Sequence, residues 1–466
     1  MGKILLINPE AEINRKQHID KKNYSCFPSL GLGYVASVLE KAGHIVQYID
    51  MRASNISLAD FERLSSLGKY SNIDLFGITA TTPLINTALK LSSIIKKHYP
   101  HSKIIIGGVH ASALPDEVLA SKHVDIVVRG EGEYTFRDLA AGVKLGEIKG
   151  ISYKDKKGKI IHNPDTALIE KLDDLPLPAY HLMPMEKYYP SPGSYKRLPA
   201  MSLVVTRGCY GKCTFCNPIT RGKVRSRSAR KIVDEIKYLQ KKYGIKEIGF
   251  FDDLFTGDRD NVEEMCNLIL QEKVDVTWSC FTRANFVEEN LFAKMKKAGC
   301  HTVLFGVESG SQEILDRMKK GQTLLQIKKS VALCKKLGFE IRASYIFGAI
   351  GETEDTLKKT MDLALNLDTD HAIFTIMTPY PGTEVWKEAR IHNWPLEKNY
   401  DLYIGETVTM MIPTVSKERI QQVYDSAYKK FYLRPKILFR QLSKMNSFLV
   451  LKQNIEGVMG LIFKGA

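Results

Sequence analysis

The sequence predicts an α/β protein of two tandem parallel-sheet domains. A doubly wound domain over residues 1–145 is followed by a linker with a hairpin over 146–198, a partial β/α barrel of six units over 199–385, and a helical, basic region over 386–466. Three observations carry this. Apolar β-type runs alternate with helical patterns in two separate series, the runs are nearly unbroken in apolar residues, and a proline-rich tract, DDLPLPAYHLMP, divides the series. Unbroken apolar strands joined by helices imply a parallel sheet covered on both faces. At 466 residues the chain exceeds one ordinary domain and can bury two cores.

The first series has strands at KILLINP (3–9), HIVQYID (44–50), DLFGITA (74–80), KIIIGGV (103–109) and DIVVRGE (125–131). Between the first two, Leu30, Tyr34, Val35, Val38, Leu39 and Ala42 share one face of a helix over 30–42 that Gly43 stops. This is a Rossmann-like pattern, and such sheets bind ligands at their carboxyl edge. The segment ISYKDKKGKIIHN reads as a hairpin ahead of the proline tract. From 202 onward come strands SLVVTRG, EIGFFDD, TWSCFTR, TVLFGVE, EIRASYIFG and AIFTIMTPY, each pair separated by a helical pattern. The result is a TIM-type arrangement two units short of eight.

Composition narrows the function less. A formal charge of +15 and a pI near 9.2 point to acidic ligands, nucleic acid or a membrane surface without choosing among them. The opening MGKILLINPE has no charged-then-apolar leader, and no apolar run approaches the ~20 residues of a membrane span. A cytoplasmic protein is therefore expected, in which thiols stay reduced and clustered cysteines mean metal or catalysis. Residues 415–466 hold ten Lys or Arg against three Asp or Glu. Within them KILFRQLSKMNSFLVLKQNIEGVMGLIF mixes apolar and basic residues, either to lie peripherally on an anionic membrane or to pack as a helix with solvated lysines.

One motif misleads. Gly31-Leu32-Gly33-Tyr34-Val35-Ala36 imitates a dinucleotide fingerprint, with Asp50 where a ribose-binding acid would sit. That fingerprint needs its glycines in the turn directly after the first strand, and here about 21 residues separate Pro9 from Gly31. The expected role of these glycines is close helix–sheet packing. The long first loop and the pair Gly107-Gly108 suit a larger ligand across the sheet edge. The stretches FPSLGLGYVASVLEKAGHIVQYID, IIIGGVHAS and DIVVRGEGE together resemble the cobalamin-binding domain of many radical S-adenosylmethionine enzymes, over nearly all of residues 1–140. The resemblance implies cobalamin, with Gly107, Gly108, Gly130 and Glu131 at its site. The D-x-H-x-x-G motif that supplies a cobalt ligand elsewhere is absent, and His18 stands in the charged context KQHIDKK, so a histidine-free cobalamin is implied.

TRGCYGKCTFCNP places Cys209, Cys213 and Cys216 within eight residues, at the carboxyl end of the first barrel strand. Structural zinc takes four protein ligands, and no second Cys-x-x-Cys or His pair supplies the fourth. Three thiolates suit an iron–sulfur cluster with one open iron. C-x3-C-x2-C with Phe215 before the last cysteine resembles the radical S-adenosylmethionine superfamily, over roughly 199–385. The later strands end at the same edge in Asp252-Asp253, Arg283, Glu308-Ser309-Gly310, Gly348 and Tyr380-Pro381-Gly382-Thr383.

The resemblance implies a [4Fe-4S] cluster on the three cysteines and S-adenosylmethionine on the open iron. It places Asp252 or Asp253 on the ammonium, Arg283 on the carboxylate, and Glu308 and Ser309 on the ribose. It further implies reductive cleavage to a 5'-deoxyadenosyl radical, with electrons from a flavodoxin or ferredoxin. Methyl transfer through cobalamin to an unactivated carbon of a small metabolite or lipid, such as a hopanoid, is the expected outcome. Radical cyclisation or rearrangement is the alternative, and an iron–sulfur or cobalamin sensor is the non-enzymatic one. Nucleic acid is not expected as partner, because residues 1–198 contain only Cys26 where methylthiotransferases carry three cluster cysteines. Cys266, Cys280, Cys300 and Cys334 are expected to be packing residues.

Overall fold

The computed structural model describes residues 2–11, 25–191 and 194–443. These form two compact units: one of residues up to Tyr188 together with Lys398–Tyr403, the other of Tyr189–Glu397 and the chain from Ile404.

The first unit is built on a seven-stranded sheet. Strands β1 (Lys3–Asn8), β2 (Ile45–Asp50), β3 (Leu75–Thr79), β4 (Lys103–Gly107), β5 (Ile126–Val128), β6 (Ile151–Lys154) and β7 (Ile160–His162) run in the order β2-β1-β3-β4-β5-β6-β7. The first five pair in parallel, with Leu5 opposite Gln47 on one side and Phe76 on the other. Both faces are buried. Leu5, Ile7, Phe76, Ile78, Ile104 and Ile106 enter one core cluster, while Ile4, Leu6, Ile105, Ile126 and Val128 enter another. That division explains why the strands read as unbroken apolar runs. The strand order reverses between β1 and β3, which leaves a crevice outside their carboxyl ends.

The expected linker has structure of its own. The hairpin is present, but β6 pairs antiparallel with β5 and β7 with β6, so both extend the first sheet. The proline tract is folded onto the unit as well. Leu172, Leu175, Ala179, Tyr180 and Met183 are buried, and Leu175 packs with Tyr34 and Val38 of the helix Leu30–Lys41. Prolines stand between these apolar anchors, a pattern that composition alone makes look like a tether. Residues 386–466 also differ from a simple tail, because Lys398–Tyr403 belongs to the first unit. Asn86 Nδ2 donates to Asn399 Oδ1 at 3.2 Å and to Asp401 Oδ1 at 3.0 Å. The Tyr400 ring meets His110 edge-on at 4.8 Å.

Gly33 has a packing role different from the expected one. A β-carbon there would lie 2.2 Å from Met183 Cε and 3.1 Å from Pro178 Cβ, so it admits the folded proline tract and not the sheet. Asp50 is spent internally, accepting from Asn8 Nδ2, the Ala53 amide and the Tyr188 hydroxyl. The dinucleotide reading therefore has no support in either residue.

The second unit holds a six-stranded, wholly parallel sheet, the partial barrel. Its strands are β8 (Ala200–Leu203), β11 (Glu247–Phe250), β12 (Thr277–Thr282), β13 (Cys300–Glu308), β14 (Glu340–Phe347) and β15 (His371–Ile376), while β9 (Thr206–Arg207) and β10 (Arg225–Ser226) form a short separate ladder. Capped helices connect them. Ser228, Thr323 and Thr353 each accept from the first turn of the helix they precede, satisfying amides that have no intrahelical partner. Cys266, Cys280, Cys300 and Cys334 are all buried, as expected of packing residues.

At the amino-terminal edge of this sheet Glu247 is almost fully enclosed. It accepts from His301 Nε2 at 2.9 Å, from the Lys196 and Arg197 amides at 2.7 Å, and from Thr277 Oγ1 at 3.0 Å. Removing the carboxylate strands four donors. Glu247→Ala is expected to cost ~3–5 kcal/mol, the scale for breaking a buried pair, read as a lower denaturant midpoint with unchanged secondary structure.

Candidate active site

Strand β8 is short and lies at the sheet edge, so the amides that follow it need acceptors from elsewhere. Asp252, at the end of neighbouring β11, provides one. Its Oδ1 accepts from the Val205 amide at 2.8 Å and from the Thr206 amide. Asp253 Oδ2 accepts from the Gly208 amide at 3.1 Å. Gly208 has a φ of +103°, and a β-carbon there would lie 2.4 Å from the Lys223 carbonyl, so glycine is required at the turn into the cysteine loop.

The loop is pinned on several sides. The Gly222 amide donates to Cys209 O at 2.9 Å, and the Thr214 amide to Met318 O at 2.9 Å. Arg221 donates to Cys213 O at 2.6 Å and to Glu384 Oε1 at 2.7 Å, and Lys319 holds the other Glu384 oxygen at 2.7 Å. All three thiols are free: Cys213 is buried, Cys209 half-buried and Cys216 exposed. The Gly211 amide donates to Cys209 Sγ and Arg283 Nη1 to Cys213 Sγ, each at 3.3 Å. The hydrogen bond from Cys216 holds the Cys213 thiol below its ordinary value against the cost of burial, with help from Lys320 and Arg283. Three thiols on one loop, two of them receiving N–H donors, fit an iron–sulfur cluster. Among the described residues no three His, Cys, Asp or Glu side chains are arranged to hold a single metal ion.

The expected rim residues gather at the same edge with altered roles. Arg283 is buried and, besides Cys213, donates to the Lys320 carbonyl. Glu308 has a left-handed φ of +67° at a register shift in β13, a strained position of the kind found at functional sites. Its carboxylate accepts from Lys320 Nζ at 2.6 Å and Ser344 Oγ at 3.3 Å. Ser309 is fully buried and bonded to Thr360 Oγ1 and the Ser311 amide, so it braces the rim loop and is not presented to a ligand. Lys320 Nζ lies 5.9 Å from the centre of the Phe215 ring. Thr383 caps the helix Glu384–Ile391, and the Gly348 amide donates to Glu352.

Asp252, expected as a candidate for the substrate ammonium, is buried and engaged by backbone, whereas Asp253 beside it is exposed. Sequence reasoning missed Lys320, Arg221 and Glu352. Lys320 stands in RMKKGQT among like charges, and only its 5% exposure and ion pair distinguish it.

In the first unit Gly107 ends β4 and Gly108 follows it, while Gly130 and Glu131 lie just beyond the carboxyl end of β5. Gly108 has a φ of +101°, and a β-carbon would lie 2.6 Å from the Ala80 carbonyl, so the chain passes the end of β3 at backbone contact. The Gly130 amide donates to Ser112 Oγ at 3.0 Å, and Glu131 accepts from the Ile169 amide at 2.7 Å. His110, just beyond the glycine pair, is buried with Nδ1 3.3 Å from Thr82 Oγ1, and burial holds its imidazole down at about 4. His18 lies outside the described residues.

Comparison with known proteins matches this geometry. The B12 binding domain profile covers residues 20–140, and the radical SAM superfamily profile residues 203–364. An uncharacterized methyltransferase of Pyrococcus horikoshii is 35% identical over 99% of both chains. The chain belongs to the radical S-adenosylmethionine enzymes that carry a B12 binding domain. A second relative, the anaerobic magnesium-protoporphyrin IX monomethyl ester cyclase of Rubrivivax gelatinosus, is 28% identical over 88% of this chain and 75% of its own. The fold is that of the methyltransferase TsrM from Kitasatospora setae, solved with cobalamin and a [4Fe-4S] cluster, with a TM-score of 0.71 at 16% identity over 94% of this chain and 90% of that one.

Two expectations follow for this enzyme. Asp252→Ala leaves two buried amides without an acceptor, at ~1–3 kcal/mol each, whereas Asp253→Ala should change stability by less than about 1 kcal/mol; denaturant unfolding of the two variants side by side checks this. The second concerns Glu352, which is fully buried with Oε1 unpaired. Burial pushes its carboxyl up to about 8. The folded state thus holds this proton more tightly than the unfolded chain, whose carboxyl titrates near about 4.3. The stability it contributes is complete below that value and is lost as pH rises through about 8. Denaturation midpoints should therefore fall between about pH 5 and 8, and Glu352→Gln should flatten that slope.

Proposed function

We propose that this enzyme is a cobalamin-dependent methyltransferase acting on an unactivated carbon of a small molecule, with Cys209, Cys213 and Cys216 holding a [4Fe-4S] cluster. The observation that carries the reading is the three-cysteine loop at the carboxyl edge of a six-stranded parallel sheet, in a chain similar end to end to a methyltransferase. When bound, the cluster supplies one electron for cleaving S-adenosylmethionine, and cobalamin supplies the means to pass a methyl group.

The chain's own residues bind, orient and exclude water. Asp253 presents a carboxylate for the ammonium of S-adenosylmethionine, while Asp252 fixes the loop that carries the cysteines. Glu308, at its left-handed backbone position, accepts from a ribose hydroxyl in this reading, and Lys320 Nζ pairs with it at 2.6 Å. Gly107, Gly108 and Gly130 let backbone approach a flat ligand at the edge of the first sheet, with Glu131 beside them and cobalamin held without a protein histidine. A flavodoxin- or ferredoxin-like donor provides the electrons.

The 28% likeness to a cyclase over 88% of the chain supports a second reading, radical cyclisation. The two part without knowledge of the substrate. Anaerobically reconstituted protein, given S-adenosylmethionine and cob(I)alamin, should form S-adenosylhomocysteine if it is a methyltransferase, and with a reductant should form 5'-deoxyadenosine. A cyclase gives the second product without the first. The triple Cys→Ala variant should lose bound iron and 5'-deoxyadenosine together, and Asp253→Ala should weaken S-adenosylmethionine binding at least tenfold, about 1.4 kcal/mol. Retained iron in the triple variant would refute the cluster assignment.

A further inference from the structure

The guanidinium of Arg283 is buried and clamped between two loops. Nη1 donates to Cys213 Sγ at 3.3 Å, and Nη2 donates to the Lys320 carbonyl. The clamp is built into the backbone of both. A β-carbon on Gly211 would fall 2.4 Å from Nη1, so the cysteine loop has glycine where the guanidinium enters, and Gly321 flanks the other side. Cys213 is the buried member of the three thiols and therefore the one whose partner is least screened by water.

A second buried cation stands close by. Lys320 lies near Phe215, between Cys213 and Cys216 in sequence, and is balanced by Glu308 at 2.6 Å. Lys320 and Glu308 cancel formally, so Arg283 is the buried positive charge that the sulfur of Cys213 answers. Hydrogen bonds to ligand sulfurs and local net charge are among the terms that set iron–sulfur reduction potentials. A donor on sulfur favours the reduced, more negative cluster.

We infer that Arg283 is a positioning residue that holds Cys213 and raises the reduction potential of the cluster, and is not the partner of the S-adenosylmethionine carboxylate. The inference rests on the cluster assignment above. It gives the end of β12 a function directed at the metal centre: one side chain ties the cysteine loop to the Lys320–Gly321 turn and donates to sulfur.

The test is an EPR-monitored redox titration of reconstituted protein without S-adenosylmethionine. Arg283→Gln should move the midpoint to more negative potential by at least tenfold in the reduction equilibrium, about 59 mV for one electron, with iron and sulfide per chain unchanged. Arg283→Lys keeps the charge but cannot serve both loops, and should fall between. If Arg283→Gln fails to take up iron, Gly211→Ala decides, because its methyl group displaces the guanidinium while Arg283 stays in place. The same negative shift in Gly211→Ala supports the inference. An unmoved midpoint in an iron-replete variant overturns it, as does an unmoved midpoint with weakened S-adenosylmethionine binding, which would return Arg283 to the carboxylate. Wild-type protein that takes up no cluster would instead sink the cysteine assignment, a result distinct from either.

Discussion

The active edge depends on one buried carboxylate. Strand β8 ends at Leu203, and the Val205 and Thr206 amides beyond it lie outside the six-stranded sheet. Asp252 reaches across from β11 and accepts from both, so the point where the cysteine loop departs is set by a side chain of the neighbouring strand. Every later restraint acts on a loop whose origin is already fixed: Asp253 on Gly208, the Gly222 amide on Cys209, Arg221 on Cys213. Enclosing that carboxylate has a cost, and burial pushes it up to about 7. The dipeptide thus splits its duties, since successive residues point to opposite sides of an extended chain. Asp252 is buried against two amides, and Asp253 is exposed beside the cysteine loop, where it accepts from the Gly208 amide.

Much of this was legible in the sequence because it is local. Each apolar run of both series became a strand, and the six parallel barrel strands and the cysteine loop at their carboxyl edge lie where spacing placed them. What escaped was tertiary. Arg221 and Glu384 are 163 residues apart, and Lys320 and Arg283 are 37 apart; no periodicity relates such pairs. The proline tract escaped for a different reason. Its buried residues are single apolar anchors between prolines, too sparse for any helical or strand period to register. Asp252 and Ser309 stand at strand ends and bond within the fold, and a sequence cannot say whether a polar side chain there bonds to nearby backbone or faces outward.

Glycines supply the room that the charged groups require. Without a β-carbon at Gly211 the guanidinium of Arg283 reaches sulfur. Without one at Gly306, where it would stand 2.2 Å from Glu308 Oε1 and 2.5 Å from Lys320 Nζ, the Lys320–Glu308 pair can form beneath the rim. Desolvated ion pairs hold only with tight geometry and satisfied neighbours, and here the geometry is obtained by deleting side chains on the adjoining backbone. The glycines of this edge belong to the electrostatics as much as to the turns.

The basic balance of the chain bears on substrate class less than its size suggests. Among the described residues of the carboxyl-terminal region, Arg419 pairs with Glu354 at 2.9 Å, Lys436 and Arg440 with Asp368 at 2.9 and 2.6 Å, and Arg434 donates to the Leu365 carbonyl. These cations are used to seat two helices, Lys417–Tyr432 and Pro435–Ser443, on the barrel. A membrane-surface reading of KILFRQLSKMNSFLVLKQNIEGVMGLIF needs its basic residues free, and the two that lie in the described part are already paired; the remainder, from 444 on, lies outside the described residues. No described helix is long and apolar enough to cross a membrane. The buried cations at the cysteine loop, Arg283 at 3.3 Å from Cys213 Sγ and Lys320 at 2.6 Å from Glu308, are the ones least screened by water, unlike the excess spread over the chain.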